Sequence, residues 1–381
     1  MYCRAVAEPP PTSVAGERVA LVHDYLLVMR GAERTFAAIA EHYPAAPIFT
    51  LLYDEAGTGA RFAGRSVTSS PMQRLGVDQD NFRRLLPLYP WAVRRLRLPA
   101  CEAVISSSSA FAHGATVPGG AAHVCYCHAP FRYAWYEQAR ALRETPAALR
   151  PAMRLLLARM RRWDLSASRR VDSYIANSQL TRERIARFYG RDSVIIHPPV
   201  ETHRFTAGTP GEQLLVVSEL VAHKRVHVAL EAARRAHAPI RVVGSGPEYA
   251  SLRARYPDAE FVGRAGDAEL VDLYASARAV IVPGVEEFGI TAVEAQAAGR
   301  PVIAADAGGA RETVLDGRTG LLARADDPDA FARAIGKLEE LDFDPARAIE
   351  NAARFSVAEF TRKLDEHVEQ VLHASRRRLA A

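Results

Sequence analysis

The chain has 381 residues, 49% of them hydrophobic and 24% charged, with a formal net charge of +5. That length exceeds one ordinary core and predicts two domains of a soluble globular protein. The absence of any run of about 18 apolar residues excludes a spanning helix. Four scattered cysteines (Cys3, Cys101, Cys125, Cys127) exclude a disulfide framework, so a reducing compartment, the cytoplasm, is expected.

The opening stretch "MYCRAVAEPPPTSVAGER" lacks the apolar segment of a secretory signal and reads as a loose polar arm. "RVALVH" (18–23) is a strand pattern ending at His23 and Asp24, where an active-site role and a packing cap are both open. Gly31 then introduces helical periodicity over 31–43. "APIFTLLY", "CEAVISSSS", "AHVCYCH" and "VDSYIANS" follow: short apolar runs ending in polar residues, as expected of parallel strands buried on both faces. Cys125 and Cys127 share one face of such a strand. They read as core thiols, because structural zinc usually takes four spaced ligands.

Residues 83–97 hold five arginines and no acid, and residues 140–170 hold nine against Glu144 and Asp164. Within the second run, "LRPAMRLLLARMRRW" (149–163) puts Leu149, Met153, Leu156, Met160 and Trp163 at heptad-like steps, the pattern of an amphipathic helix. Both runs read either as solvated helix faces or as a surface for anionic lipid headgroups on the inner leaflet of the plasma membrane. No nucleic-acid recognition module is present, so that partner is not expected.

"IIHPPVETHRFTAGTPGEQ" (195–213) reads as a connector. A second strand series follows in "QLLVVSE", "IRVVG", "AEFVGR", "RAVIVPG" and "RPVIAAD", and "FSVAEFTRKLDEHVEQVL" (355–372) is a final amphipathic helix. Two such series predict two doubly wound Rossmann-like α/β domains facing a cleft, with ligands beyond the carboxyl ends of the strands. Gly244 and Gly246 in "VVGSGPEYA" are a poor dinucleotide fingerprint, since Pro247 follows and the third glycine is missing. No Asp-x-Asp pair falls at a strand end, so no metal or other cofactor is expected.

"RAVIVPGVEEFGITAVEAQAAG" reads as strand, loop and helix. The first amides of a helix lack internal partners and carry the positive end of its dipole. Gly289 lets a ligand approach them, which makes a phosphate seat. Glu294, one turn in, suits a ribose diol, and Glu286, in the loop, lies nearer whatever the phosphate carries. An acidic cluster that only complements the helix dipole is the alternative.

Residues 286–322, "EEFGITAVEAQAAGRPVIAADAGGARETVLDGRTGLL", resemble the signature of the family-4 retaining glycosyltransferases, which have the two-domain GT-B fold. "VHDYLLVMRGAER", "VVSELVAHKRVHVALEA", "VVGSGPEYASL" and "FVGRAGDAELVDLYASARAVIVP" extend the likeness over nearly the whole chain. "SSSSAFAHG" and "YCHAPFRYAW" narrow it to a bacterial subgroup with GDP-mannose-dependent mannosyltransferases of polysaccharide assembly. The resemblance implies an acceptor domain over 1–195, a donor domain over 196–354, and a helix over 355–381 returning to the first. It implies transfer of a hexosyl group from a nucleoside diphosphate sugar to a glycan or a polyprenyl-diphosphate-linked acceptor.

By the same likeness His128, Glu286 and Lys224 are the expected catalytic residues. Gly31, Ser178, Lys224, Arg225, Gly263, Arg264, Phe288, Gly289, Ile290, Thr291 and Glu294 are expected to line the donor. A satisfied core histidine is the alternative for His128, an N-cap for Ser178, and a loop role for His113. Glu219 stands where the family usually has arginine, so either Arg225 or Arg264 is expected to substitute or the Glu219 side chain points elsewhere. An epimerase or phosphorylase on the same architecture, and a non-catalytic nucleotide-sugar binding module, remain the rival functions.

Overall fold

The computed structural model describes residues 18–77 and 81–380, so the polar arm and Cys3 lie outside the described residues. The chain divides into two compact units. The first runs to Ala176 and also takes in Arg184–Val194 and the chain from Thr361 onward; the second comprises Asn177–Glu183 and Ile195–Phe360.

The first unit is built on β1 (Val19–Leu26), β2 (Ile48–Tyr53), β3 (Val67–Ser69), β4 (Ala103–Ser108), β5 (Ala122–Cys127), β6 (Ser173–Ala176) and β7 (Ser193–Ile195). Their order is β3-β2-β1-β4-β5-β6-β7, and the pairs from β3 through β6 are parallel. β4 and β5 are buried at every position, which is why their sequences are apolar or neutral without alternation. Cys125 and Cys127 are free thiols inside this core.

The helix Val357–Ala380 closes the unit with Leu364, Val368, Val371 and Leu372 buried. Its Asp365 accepts the Tyr43 hydroxyl at 2.7 Å and stands 2.7 Å from His42 Nε2, and His367 Nε2 is 2.8 Å from Ser173 Oγ.

The second unit carries β8 (Leu214–Val217), β9 (Ile240–Val243), β10 (Glu260–Gly263), β11 (Ala279–Val282), β12 (Val302–Ala305) and β13 (Gly320–Ala323). They lie in the order β10-β9-β8-β11-β12-β13, all parallel. In each sheet the winding reverses once, between β1 and β4 and between β8 and β11. Those reversals open crevices at the carboxyl ends of the strands, where doubly wound sheets bind ligands.

The arginine-rich helix over 149–163 begins at Arg150 and runs to Ser168. Met160 is buried, but Leu149 is left 58% exposed because it precedes the first helical turn.

Candidate active site

The β8/β11 reversal brings together two residues 62 positions apart in sequence. Lys224 ends a short 3-10 turn after β8, and Glu286 lies in the loop after β11. Lys224 Nζ donates to both Glu286 carboxylate oxygens at 2.6 Å. The two side chains are 25% and 22% exposed, so the pair is shielded yet reachable. Gly284 permits this approach: a Cβ there would lie 2.9 Å from the Lys224 carbonyl oxygen.

Three residues beyond Glu286, Gly289 adopts a left-handed conformation (φ 88°) and caps the helix Ile290–Ala297. The first-turn amides of that helix therefore follow directly on the ion pair. Ile290 and Thr291 are half-buried, and Ile290 packs on the core.

Other expected donor residues are placed differently. Phe288 is 3% exposed, with its ring 5.4 Å from His197 and 5.3 Å from Phe355, so its side chain belongs to the core and only its backbone faces the loop. Ser178 is fully buried and accepts the Thr181 amide at 3.3 Å, which is the N-cap alternative. Glu294 is buried and accepts the Tyr274 hydroxyl at 2.7 Å.

Arg225, left-handed at φ 54°, pairs with Asp326, left-handed at φ 58°. Arg264 donates to Ser245 Oγ at 2.8 Å, and the preceding Gly263 accepts the Gly244 amide. Because Leu220 N bonds the Ser245 carbonyl, Arg264 is the arginine anchored beside the Glu219 loop. Gly244 and Gly246 press against the backbones of Ser218 and Leu220, so close packing accounts for this glycine pair.

Two partners in this half carried no assigned role in the sequence. One is Tyr274, which holds Glu294. The other is Glu312, whose carboxylate accepts the Gln179 amide at 2.9 and 3.0 Å and stands 2.9 Å from His197 Nε2. The acid in the "GGARETV" segment was a visible signal for Glu312; nothing in the sequence singles out Tyr274.

In the first unit, four histidines meet a row of hydroxyls on β4. Ser107 Oγ lies 2.8 Å from His128 Nε2 and 3.0 Å from His23 Nδ1. Ser106 meets His123 at 2.8 Å, and Ser108 meets His113 at 3.1 Å. Burial, reinforced by His128, holds His23 well below the usual imidazole range and hence neutral. Burial also pushes His123 down to about 3.

His113 is 2% exposed and stands 3.1 Å from Asp164, which also accepts the Trp135 indole at 2.6 Å, so it serves the core. Asp24 is the packing cap of the two alternatives: its carboxylate accepts the amides of Ser109, Ala110, Phe111 and Ala112. Gly31 opens the helix Gly31–His42. Two residues on, Glu33 accepts the Arg30 amide at 3.1 Å, and desolvation pushes its carboxyl up to about 7. No motif in the sequence marks Glu33.

Among the described residues no group of three His, Cys, Asp or Glu side chains is placed to hold a metal ion, and no helix is long and apolar enough to cross a membrane.

The model named Glycosyltransferase Family 4 matches residues 29–204, and the one named Glycosyl transferases group 1 matches residues 201–355. D-inositol 3-phosphate glycosyltransferase 2 of Catenulispora acidiphila is 33% identical over 226 residues, 48% of this chain and 52% of that protein. D-inositol 3-phosphate glycosyltransferase of Streptomyces scabiei is 32% identical over 216 residues, 47% of this chain and 48% of that protein. The chain thus spans about half the length of the curated relatives it matches. Among solved structures, Anabaena HepE in complex with UDP superposes with a TM-score of 0.68 at 18% identity, covering 92% of this chain and 100% of that one. This likeness is one of fold. Residues 29–204 are thus similar to Glycosyltransferase Family 4 and residues 201–355 to Glycosyl transferases group 1, each match falling on one part of the chain.

Proposed function

We propose that this protein transfers a hexosyl group, mannosyl from GDP-mannose, to a hydroxyl of a glycan or polyprenyl-diphosphate-linked acceptor in polysaccharide assembly at the inner face of the plasma membrane. The observation that carries the reading is the Lys224–Glu286 pair at the β8/β11 reversal, set before the first amides of the helix Ile290–Ala297. The donor diphosphate sits on those amides and on Lys224, whose charge offsets that of the leaving group. As the diphosphate takes Lys224, Glu286 is released towards the sugar. His128 is assigned to a sugar hydroxyl, and Glu294 to the ribose alongside the Tyr274 hydroxyl. The bond from the anomeric carbon to the diphosphate breaks and the bond to the acceptor oxygen forms on the same face. The acceptor proton passes to the departing phosphate oxygen, so configuration is retained without a covalent enzyme intermediate or a metal ion.

A second reading changes the substrates within the same chemistry. The curated relatives are named for inositol 3-phosphate, and the HepE structures hold UDP or UDP-glucose. They favour a phosphorylated polyol as acceptor and a uridine donor.

A thermal-shift panel of GDP-mannose, UDP-glucose and the free nucleotides separates the two. A donor at a hundred times its Kd stabilises the native state by about 2.7 kcal/mol. GDP-mannose is expected to give the largest shift, and Lys224→Ala to remove it. A shift that survives Lys224→Ala, or no shift with any sugar nucleotide, rules out the assigned site.

A further inference from the structure

Outside the donor seat, the first unit carries a cleft of about 470 Å³ between the edge strand β3 and the segment that follows the helix Tyr89–Val93. Thr68, Ser69, Arg74, Arg95 and Arg97 line it, and no acidic residue does. Among the described residues these three arginines pair with no carboxylate. The floor is tied down: Gln73 exchanges two 2.8 Å hydrogen bonds with the Tyr53 backbone, and Ser70 Oγ donates to the Leu51 carbonyl. No carboxylate among the described residues claims the guanidinium groups. Apolar side chains stand beside them. Leu75, next to Arg74, is 59% exposed; Trp91, under the Arg95 guanidinium at 5.3 Å, is 49% exposed; Leu88 is 43% exposed.

We propose that this cleft binds a phosphate ester, carried by an anionic phospholipid headgroup or by a soluble sugar or polyol phosphate. Guanidinium forks suit phosphate oxygens, and hydroxyls beside them complete the donor set. The exposed Trp91, Leu75 and Leu88 favour the lipid as the source, because an indole and aliphatic side chains settle at headgroup level where cations meet anionic lipid. The inference is independent of the donor assignment, since none of these residues belongs to the Lys224–Glu286 site.

The test uses the full chain with two probes, vesicles of phosphatidylcholine with or without phosphatidylglycerol, and inorganic phosphate. Flotation with phosphatidylglycerol vesicles only is expected. Arg95→Gln and Arg97→Gln should each weaken it about five-fold, the equivalent of ~1 kcal/mol per basic residue. Arg318→Gln, an exposed arginine of the second unit, makes the same charge change and should leave flotation as it was. Trp91→Ala should reduce flotation while keeping the thermal shift with inorganic phosphate, which identifies the lipid. A phosphate shift that Arg95→Gln abolishes, without flotation, supports the cleft with a soluble ester as its ligand. If Arg95→Gln and Arg97→Gln match Arg318→Gln with both probes, or the wild type answers neither, the proposal is overturned.

Discussion

Lys224 and Glu286 neutralise each other across two 2.6 Å hydrogen bonds, so under the proposed function the donor diphosphate has an internal anion to displace. Glu33 poses the opposite problem, a carboxyl that burial favours in its neutral form. Its raised value means that the folded protein holds a proton between the ordinary 4.5 and about 7 that the unfolded chain has released. Stability from this group is therefore present below 4.5 and lost as pH rises through about 7. Glu33→Gln keeps an acceptor for the Arg30 amide and cannot ionise. It should melt higher than the wild type above pH 7 and show a flatter stability profile between 4.5 and 7 in denaturant titrations. A parallel profile would show that Glu33 does not carry this pH dependence. The histidines of the first unit could be read as strand-end residues, but their hydroxyl partners could not, because a run of serines carries no sign of which imidazole each will meet.

At the scale of elements, the segment from β11 into the helix Ile290–Ala297 was the most legible part of the chain. An apolar run, a glycine and a helical pattern follow in the order the geometry needs. Gly289→Ala tests it directly. A Cβ there would meet nothing closer than Glu286 Cβ at 3.8 Å, so the cost is that of the left-handed backbone, about 1–2 kcal/mol. The variant should lose that much in urea unfolding, and lose donor-induced stabilisation as well, since the methyl group stands at the first amides. Unchanged donor binding would show that the ligand does not use them. Other elements were hidden for physical reasons. β3 and β7 are three residues long, too short for a period to declare itself. Phe288 carries the right motif position but an aromatic ring that the core claims.

For the molecule as a whole, the helix Val357–Ala380 is part of the first unit's core rather than an appendage. It supplies Leu364, Val368, Val371 and Leu372, together with the Asp365 clamp on His42 and Tyr43. Each of those apolar side chains stabilises by about 1.5–3 kcal/mol, a large share of a domain's marginal stability. A chain truncated after Phe360 should therefore lose the cooperative melting of the first unit in calorimetry while the second keeps its own transition. Two intact transitions would show the helix to be dispensable. The same anatomy reverses the usual sequence of events at the ribosome, where domains mature from the amino terminus onward. The half translated first waits for its final helix, whereas residues 195–360 can settle as soon as they emerge. Released chains that end at Phe360 would thus pair a mature carboxyl half with an amino half still open to chaperones.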